Sequence, residues 1–136
     1  MGAIANKSPA QLYALVVGAL LVAAGIIGFF YSAAFGTPGN TELVFGLLGV
    51  NGWHNLVHLA TGALGLVVMG SATSARAYAL VLGVIYVALA IWGLILGSGE
   101  SILGIVPING PDDLLHLLLG VLGLAAGAAS LRTSSA

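Results

Sequence analysis

The sequence predicts an all-α integral membrane fold: a bundle of four transmembrane helices, built as two tandem two-helix hairpins related by a pseudo-twofold along the membrane normal. Three observations predict it: scarce charge, four long apolar stretches and an internal duplication. Of 136 residues, three are Lys or Arg and four are Asp or Glu, so 5% are charged, where a soluble domain carries about 25%. Hydrophobic residues make up 60%, and 21 glycines bring the apolar or side-chain-free share to about three quarters. Such a chain lacks the polar surface a soluble domain needs. A soluble enzyme, a nucleic-acid binder with a basic patch and a disordered tail are thereby excluded. The length fits one domain over 1–136. Cysteine is absent, which removes disulfides and thiolate metal sites.

A helix crossing the hydrocarbon needs about 20 mostly apolar residues. Four stretches qualify: Gln11 to Phe30, Trp53 to Gly70, Arg76 to Leu96 and Asp112 to Leu131. Each is bounded by Gly, Pro, Asn, Ser or charged residues. The first has Lys7 before it and small residues Ser32-Ala33-Ala34 after it, like a signal peptide. It is longer than the 7–15 residues or so of a signal core, and a copy recurs later in the chain, so it reads as a retained span. Lys7, Arg76 and Arg132 fall on one side of a four-span protein, with Glu42, Glu100, Asp112 and Asp113 on the other. The positive-inside rule then puts both termini in the cytoplasm, with the protein in the plasma (inner) membrane.

The duplication spans about 11–70 and 76–131. A shift of 58 aligns Glu42–Leu66 with Glu100–Leu124 without a gap, with eleven of 25 positions identical. A shift of 65 aligns Tyr13-Ala14-Leu15-Val16-Val17-Gly18 with Tyr78-Ala79-Leu80-Val81-Leu82-Gly83. The difference of seven residues is extra loop around Phe35 to Asn40. Two hairpins of like orientation resemble parallel repeats and not the inverted repeats of many transporters. The apolar, glycine-containing connections Glu42–Val50 and Glu100–Ile108 are expected to cap the helices at the outer interface, with a re-entrant loop as the lesser alternative.

Both even spans open with Asn-Gly, at Asn51-Gly52 and Asn109-Gly110. Asn is a favoured N-cap, Pro111 suits a first turn, and Asp112 suits the positive helix end. His58 and His116 lie about 10 Å further along at 1.5 Å per residue, in the outer part of the hydrocarbon zone, where an ionisable group faces the bundle interior and finds a partner. Asn55, His58, Gly62, Gly65 and Met69 share a face, as do Asp113, His116, Gly120, Gly123 and Gly127. Small residues at that spacing allow close approach, so spans two and four are expected to meet near the pseudo-axis.

Three readings of this polar face stand side by side. The plainest is interhelical hydrogen bonding by His58 with Asn55 and by His116 with Asp113. The second is cofactor ligation: a haem held from both sides by His58 and His116, or a chlorophyll held by one of them, with Asn55 and Asp113 as acceptors for the outer ring nitrogens. Close glycine packing counts against a macrocycle there. The third is a metal ion on His54, His58, Asp112 and His116, three nitrogens and a carboxylate, a zinc-type set. No catalytic triad or phosphate loop is present. Tyr13, Tyr31, Tyr78 and Trp53 fall near span ends, where an aromatic belt is expected, while Tyr86 and Trp92 lie inside span three.

The run His54-Asn55-Leu56-Val57-His58-Leu59-Ala60-Thr61-Gly62 resembles the signature of a bacterial family of small four-span membrane proteins catalogued only as a domain of unknown function. The resemblance extends along nearly all of the chain, with a paired (Asp or His)-Asn-x-x-His-x-x-x-Gly motif opening the even spans and a Tyr-Gly rich third span. The second copy, Asp112-Asp113-Leu114-Leu115-His116, has Asp113 where that family has Asn. The resemblance implies the fold and the membrane location and carries no activity. With almost no soluble part, the chain is expected to be a non-enzymatic accessory or structural subunit. Its partners would be the lipid bilayer and other membrane subunits or a second copy, with no nucleic acid. The competing expectation is a cofactor- or metal-binding protein using the histidines.

Overall fold

The computed structural model describes residues 2–36 and 41–133, and it is mostly helical. After a short α1 (Gly2–Ala5), α2 covers Pro9–Tyr31. The β1 (Glu42–Val44) and β2 (Leu48–Val50) strands precede α3 (Gly52–Val68). Then come α4 (Ala72–Leu96), β3 (Ser101–Ile102), β4 (Val106–Pro107) and α5 (Gly110–Thr133). α2 starts on a capping box: the Ser8 hydroxyl accepts from the Gln11 backbone N–H, the Gln11 side chain accepts from that of Ser8, and Pro9 follows at the first turn.

Three helices are long and apolar enough to cross a membrane: Pro9–Tyr31, Ala72–Leu96 and Gly110–Ser130. α3 has 17 residues, about 26 Å at 1.5 Å per residue, at the lower limit for a crossing. α2 and α4 begin at the end of the molecule where α3 and α5 finish. There the Gln11 carboxamide donates to the Met69 carbonyl at 3.1 Å, the Ala10 N–H donates to the Ser130 hydroxyl at 2.9 Å, and Arg76 Nε donates to the Gly127 carbonyl at 3.2 Å.

The small-residue faces do not join α3 to α5 as the spacing suggests. They join α3 to α2 and α5 to α4, each to the long helix before it. A Cβ at Gly62 would lie 2.7 Å from the Gly18 carbonyl oxygen and 2.7 Å from the Val22 nitrogen. One at Gly120 would lie 2.8 Å from the Val87 nitrogen and 3.0 Å from the Gly83 carbonyl oxygen. α2 and α4 carry their own small residues at Gly18 and Gly83, so small meets small within each hairpin. The middle is left to α2 and α4, whose Ala10, Ala14, Val17 and Leu21 form one buried cluster with Ala75, Ala79 and Leu82.

Tyr13 and Tyr78 belong to that middle and not to an interfacial belt. They are 7% and 8% exposed, their ring centroids are 6.4 Å apart, and each donates its hydroxyl across the molecule. Tyr13 reaches the Leu119 carbonyl at 2.8 Å, and Tyr78 the Thr61 carbonyl at 3.0 Å. Gly123 and Gly65 make room, since a Cβ there would stand 2.8 Å and 2.7 Å from the tyrosine oxygens.

The all-α expectation needs a second correction. The connections from α2 to α3 and from α4 to α5 contain antiparallel β-hairpins, pairing Glu42 with Val50, Val44 with Leu48, and Ile102 with Val106. Each turns through two successive residues of positive φ, Phe45 (52°) and Gly46 (71°), then Leu103 (56°) and Gly104 (69°). Two positive φ values in a row are the primed turn that matches strand twist. Strand pairing satisfies backbone groups that apolar side chains cannot, which is why an apolar connection here is not an irregular cap. Residues 37–40 of the longer first connection lie outside the described residues; its start is fixed by Trp53, whose Nε1 donates to the Phe35 carbonyl at 2.9 Å.

A candidate metal centre of three histidines and an aspartate

Asn51 and Asn109 cap their helices as expected. The Asn51 side-chain oxygen accepts from the His54 N–H at 2.8 Å, and that of Asn109 accepts from the Asp112 N–H at 3.1 Å. Each amide nitrogen crosses to the other hairpin: Asn51 donates to the Ile105 carbonyl and Asn109 to the Leu47 carbonyl, both at 2.6 Å. The two helix starts are thereby tied together. The side chains of their first and second turns converge.

His54 is 2% exposed. Its Nδ1 lies 2.9 Å from the Gly49 carbonyl oxygen. A carbonyl only accepts, so Nδ1 carries the proton and Nε2 keeps its lone pair. Nε2 is buried without a hydrogen-bond partner, and it stands 3.8 Å from Asp112 Oδ2. The other oxygen, Asp112 Oδ1, stands 3.8 Å from His116 Nε2, one helical turn away on α5. His58 completes the group, its ring centroid 4.3 Å from that of His54 and 6.2 Å from that of His116. One nitrogen from each histidine lies within 4.8 Å of the others, the group among the described residues that could hold a metal ion. Tetrahedral zinc with bonds of about 2.0–2.1 Å holds its ligand nitrogens about 3.4 Å apart, so shifts of about an ångström close the cluster. Three imidazoles and a carboxylate are the hard-to-borderline donor set that zinc accepts. A buried imidazole with its outer nitrogen on a backbone carbonyl is the usual state of a metal-bound histidine.

The structure therefore brings together His54, His58, His116 and Asp112. It does not bring Asn55 and Asp113 to the histidines. Asn55, wholly buried, donates its amide to the Ser32 carbonyl at 2.8 Å. Its oxygen rests against Gly28, where a Cβ would overlap it, and the Asp113 carboxylate rests on Gly93 in the same way. Both residues serve helix packing. A haem plane between His58 and His116 would need the space that His54 takes, since the His54 ring is 4.3 Å from one and 5.8 Å from the other. Two participants escaped the sequence reading. The Gly49 carbonyl has no side-chain signature. Tyr86, which the sequence places inside span three without a further role, stacks on His116 at 5.0 Å and 24°.

The family described as Domain of unknown function (DUF4383) matches residues 11–129. No curated protein and no solved structure matches the chain.

Proposed function

We propose that this chain, which belongs to the DUF4383 family, is a four-span membrane protein that holds one divalent transition-metal ion of the zinc class. His54, His58, His116 and Asp112 would be its ligands. The observation that carries this reading is the buried, unpartnered His54 Nε2, directed at two further imidazoles and a carboxylate. An empty polar orphan is costly in such a place, and a cation removes the cost. The ion would fasten α3 to α5, which the glycine contacts leave apart, and four protein ligands suit a binding site more than a catalytic one.

Paired contacts support the finer architecture of two hairpins about a pseudo-twofold. Gly18 with Gly62 matches Gly83 with Gly120, and the bond from Tyr13 to Leu119 matches that from Tyr78 to Thr61. α3 runs between the same two ends as its neighbours, which supports a fourth crossing. Lys7 and Arg76 line one cavity at the end where α2 and α4 begin. That favours both termini on the cytoplasmic side of the plasma membrane. The outward apolar faces are what lipid requires, and among the described residues no feature calls for an accessory-subunit role.

Metal analysis of protein purified in mild detergent without chelator tests the reading. The expected result is about one zinc ion per chain, lost in His54→Ala, His58→Ala and His116→Ala. Asp112→Asn removes the one anionic ligand and should weaken binding by more than the roughly 10–100-fold that loss of an outer-shell partner costs. Wild-type protein that holds no zinc, and takes up none when it is added, would refute the proposal.

A further inference from the structure

A cavity of about 320 Å³ leads away from the histidines, between α2, the β1–β2 hairpin and α5. Its lining is apolar, with Leu20, Ala24, Ile27, Phe45 and Leu115 among it, except where His54, His58, His116 and Asp112 border it. Leu20 is 57% exposed, Phe45 73% and Leu115 40%. The cavity thus opens sideways onto the face that lipid chains cover, and not only toward the end of the molecule.

The two halves differ at this place. The shift of 65 that aligns α2 with α4 sets Leu21, Ala24 and Ile27 against Tyr86, Leu89 and Trp92. In the second half the Tyr86 ring lies on His116. In the first half the smaller side chains leave the approach to His54 and His58 open. Among matched positions that otherwise repeat the same contacts, the difference makes one lateral entrance to the polar cluster.

Charge and size select the occupant. A divalent ion with Asp112 as the single carboxylate of the cluster carries a net charge of +1, which is costly beside hydrocarbon. A carboxylate on the end of an apolar chain cancels that charge and fills the walls. Zinc sometimes expands from four ligands to five, and that expansion is what the carboxylate would use here. The volume is at the small end of ligand cavities, about 300–1,000 Å³, which suits one acyl chain and not the two of a phospholipid. We propose that the cavity binds a free long-chain fatty acid from the bilayer, its carboxylate on the metal and its chain along α2. The inference rests on the metal reading above and names the ligand class of the same site.

Binding of tritiated palmitate to zinc-loaded protein in maltoside micelles tests it, with methyl palmitate and hexadecanol as competitors of like chain. Palmitate should bind about tenfold tighter than either neutral analogue, and removal of zinc with a chelator should abolish that preference. The double variant Ala24→Leu with Ile27→Trp installs the side chains of the second half at outward-facing positions. It should keep one zinc ion per chain, which reports its folding, and lose palmitate. Equal binding of palmitate and its methyl ester overturns the inference, as does undiminished palmitate binding in the zinc-containing double variant. A zinc-free wild-type protein overturns the metal reading together with this one, whereas zinc without palmitate binding overturns this one alone.

Discussion

The Asn55 carboxamide and the Asp113 carboxylate lie where Gly28 and Gly93 have no Cβ, and Asn55 cannot withdraw because its amide holds the Ser32 carbonyl. Adding one methyl group at Gly28 therefore forces a shift in a well-packed contact, which costs about 1–3 kcal/mol. Gly28→Ala and Gly93→Ala should lower thermal stability in detergent by that amount. Gly70→Ala, with nothing within 4 Å of the added atom, should leave it unchanged. At this scale the sequence was legible where a side chain has a local duty. Asn51 and Asn109 announce helix starts by type and position, and His54, His58, Asp112 and His116 announce a donor set. The partners of Asn55 and Asp113 were not legible. Helical spacing puts Asn55 beside His58 and Asp113 beside His116, yet a rotamer sends each toward a glycine on another helix.

Each capping asparagine does two jobs at once on its element. Asn51 caps α3 with its oxygen and holds the opposite hairpin with its nitrogen. Losing an asparagine cap costs about 1 kcal/mol, and losing the second bond costs about 1 more. Asn51→Ala should thus destabilise by about 2 kcal/mol, read from the unfolding midpoint. Asn51→Asp keeps the cap acceptor and loses only the donor, so about half the loss should return. Equal loss in both variants would show that the bond to Ile105 contributes everything and the cap nothing. The hairpins themselves escaped the sequence reading because the usual Asn-Gly or Asp-Gly turn is missing. Phe45 and Leu103, bulky residues that rarely adopt positive φ, occupy the first turn position. The small-residue faces of α3 and α5 were legible as faces, but spacing alone does not say which neighbour they meet.

On the scale of the whole molecule, charge is separated by end. Lys7 and Arg76 gather at one end, and Asp112 lies at the other, where the hairpins tie α3 to α5. Because the chain has no cysteine, single cysteines can report sidedness without a background. Asn6→Cys and Gly70→Cys should react with a membrane-impermeant maleimide from the same side, and Ser98→Cys from the opposite side. Reaction of Gly70→Cys from the side of Ser98→Cys would mean that α3, with its 17 residues, does not cross.

The end where the two helix starts are tied together also gathers the four proposed metal ligands, and the two aligned segments supply different residues there. His54 in the first copy stands where the second has Asp112, and His58 and His116 recur. Zinc K-edge X-ray absorption on the purified, zinc-loaded protein reads this donor set directly. The spectrum should show three imidazole nitrogens and one carboxylate oxygen at about 2.0–2.2 Å. A shell of water oxygens with fewer than two imidazoles would contradict a metal centre built from His54, His58, His116 and Asp112.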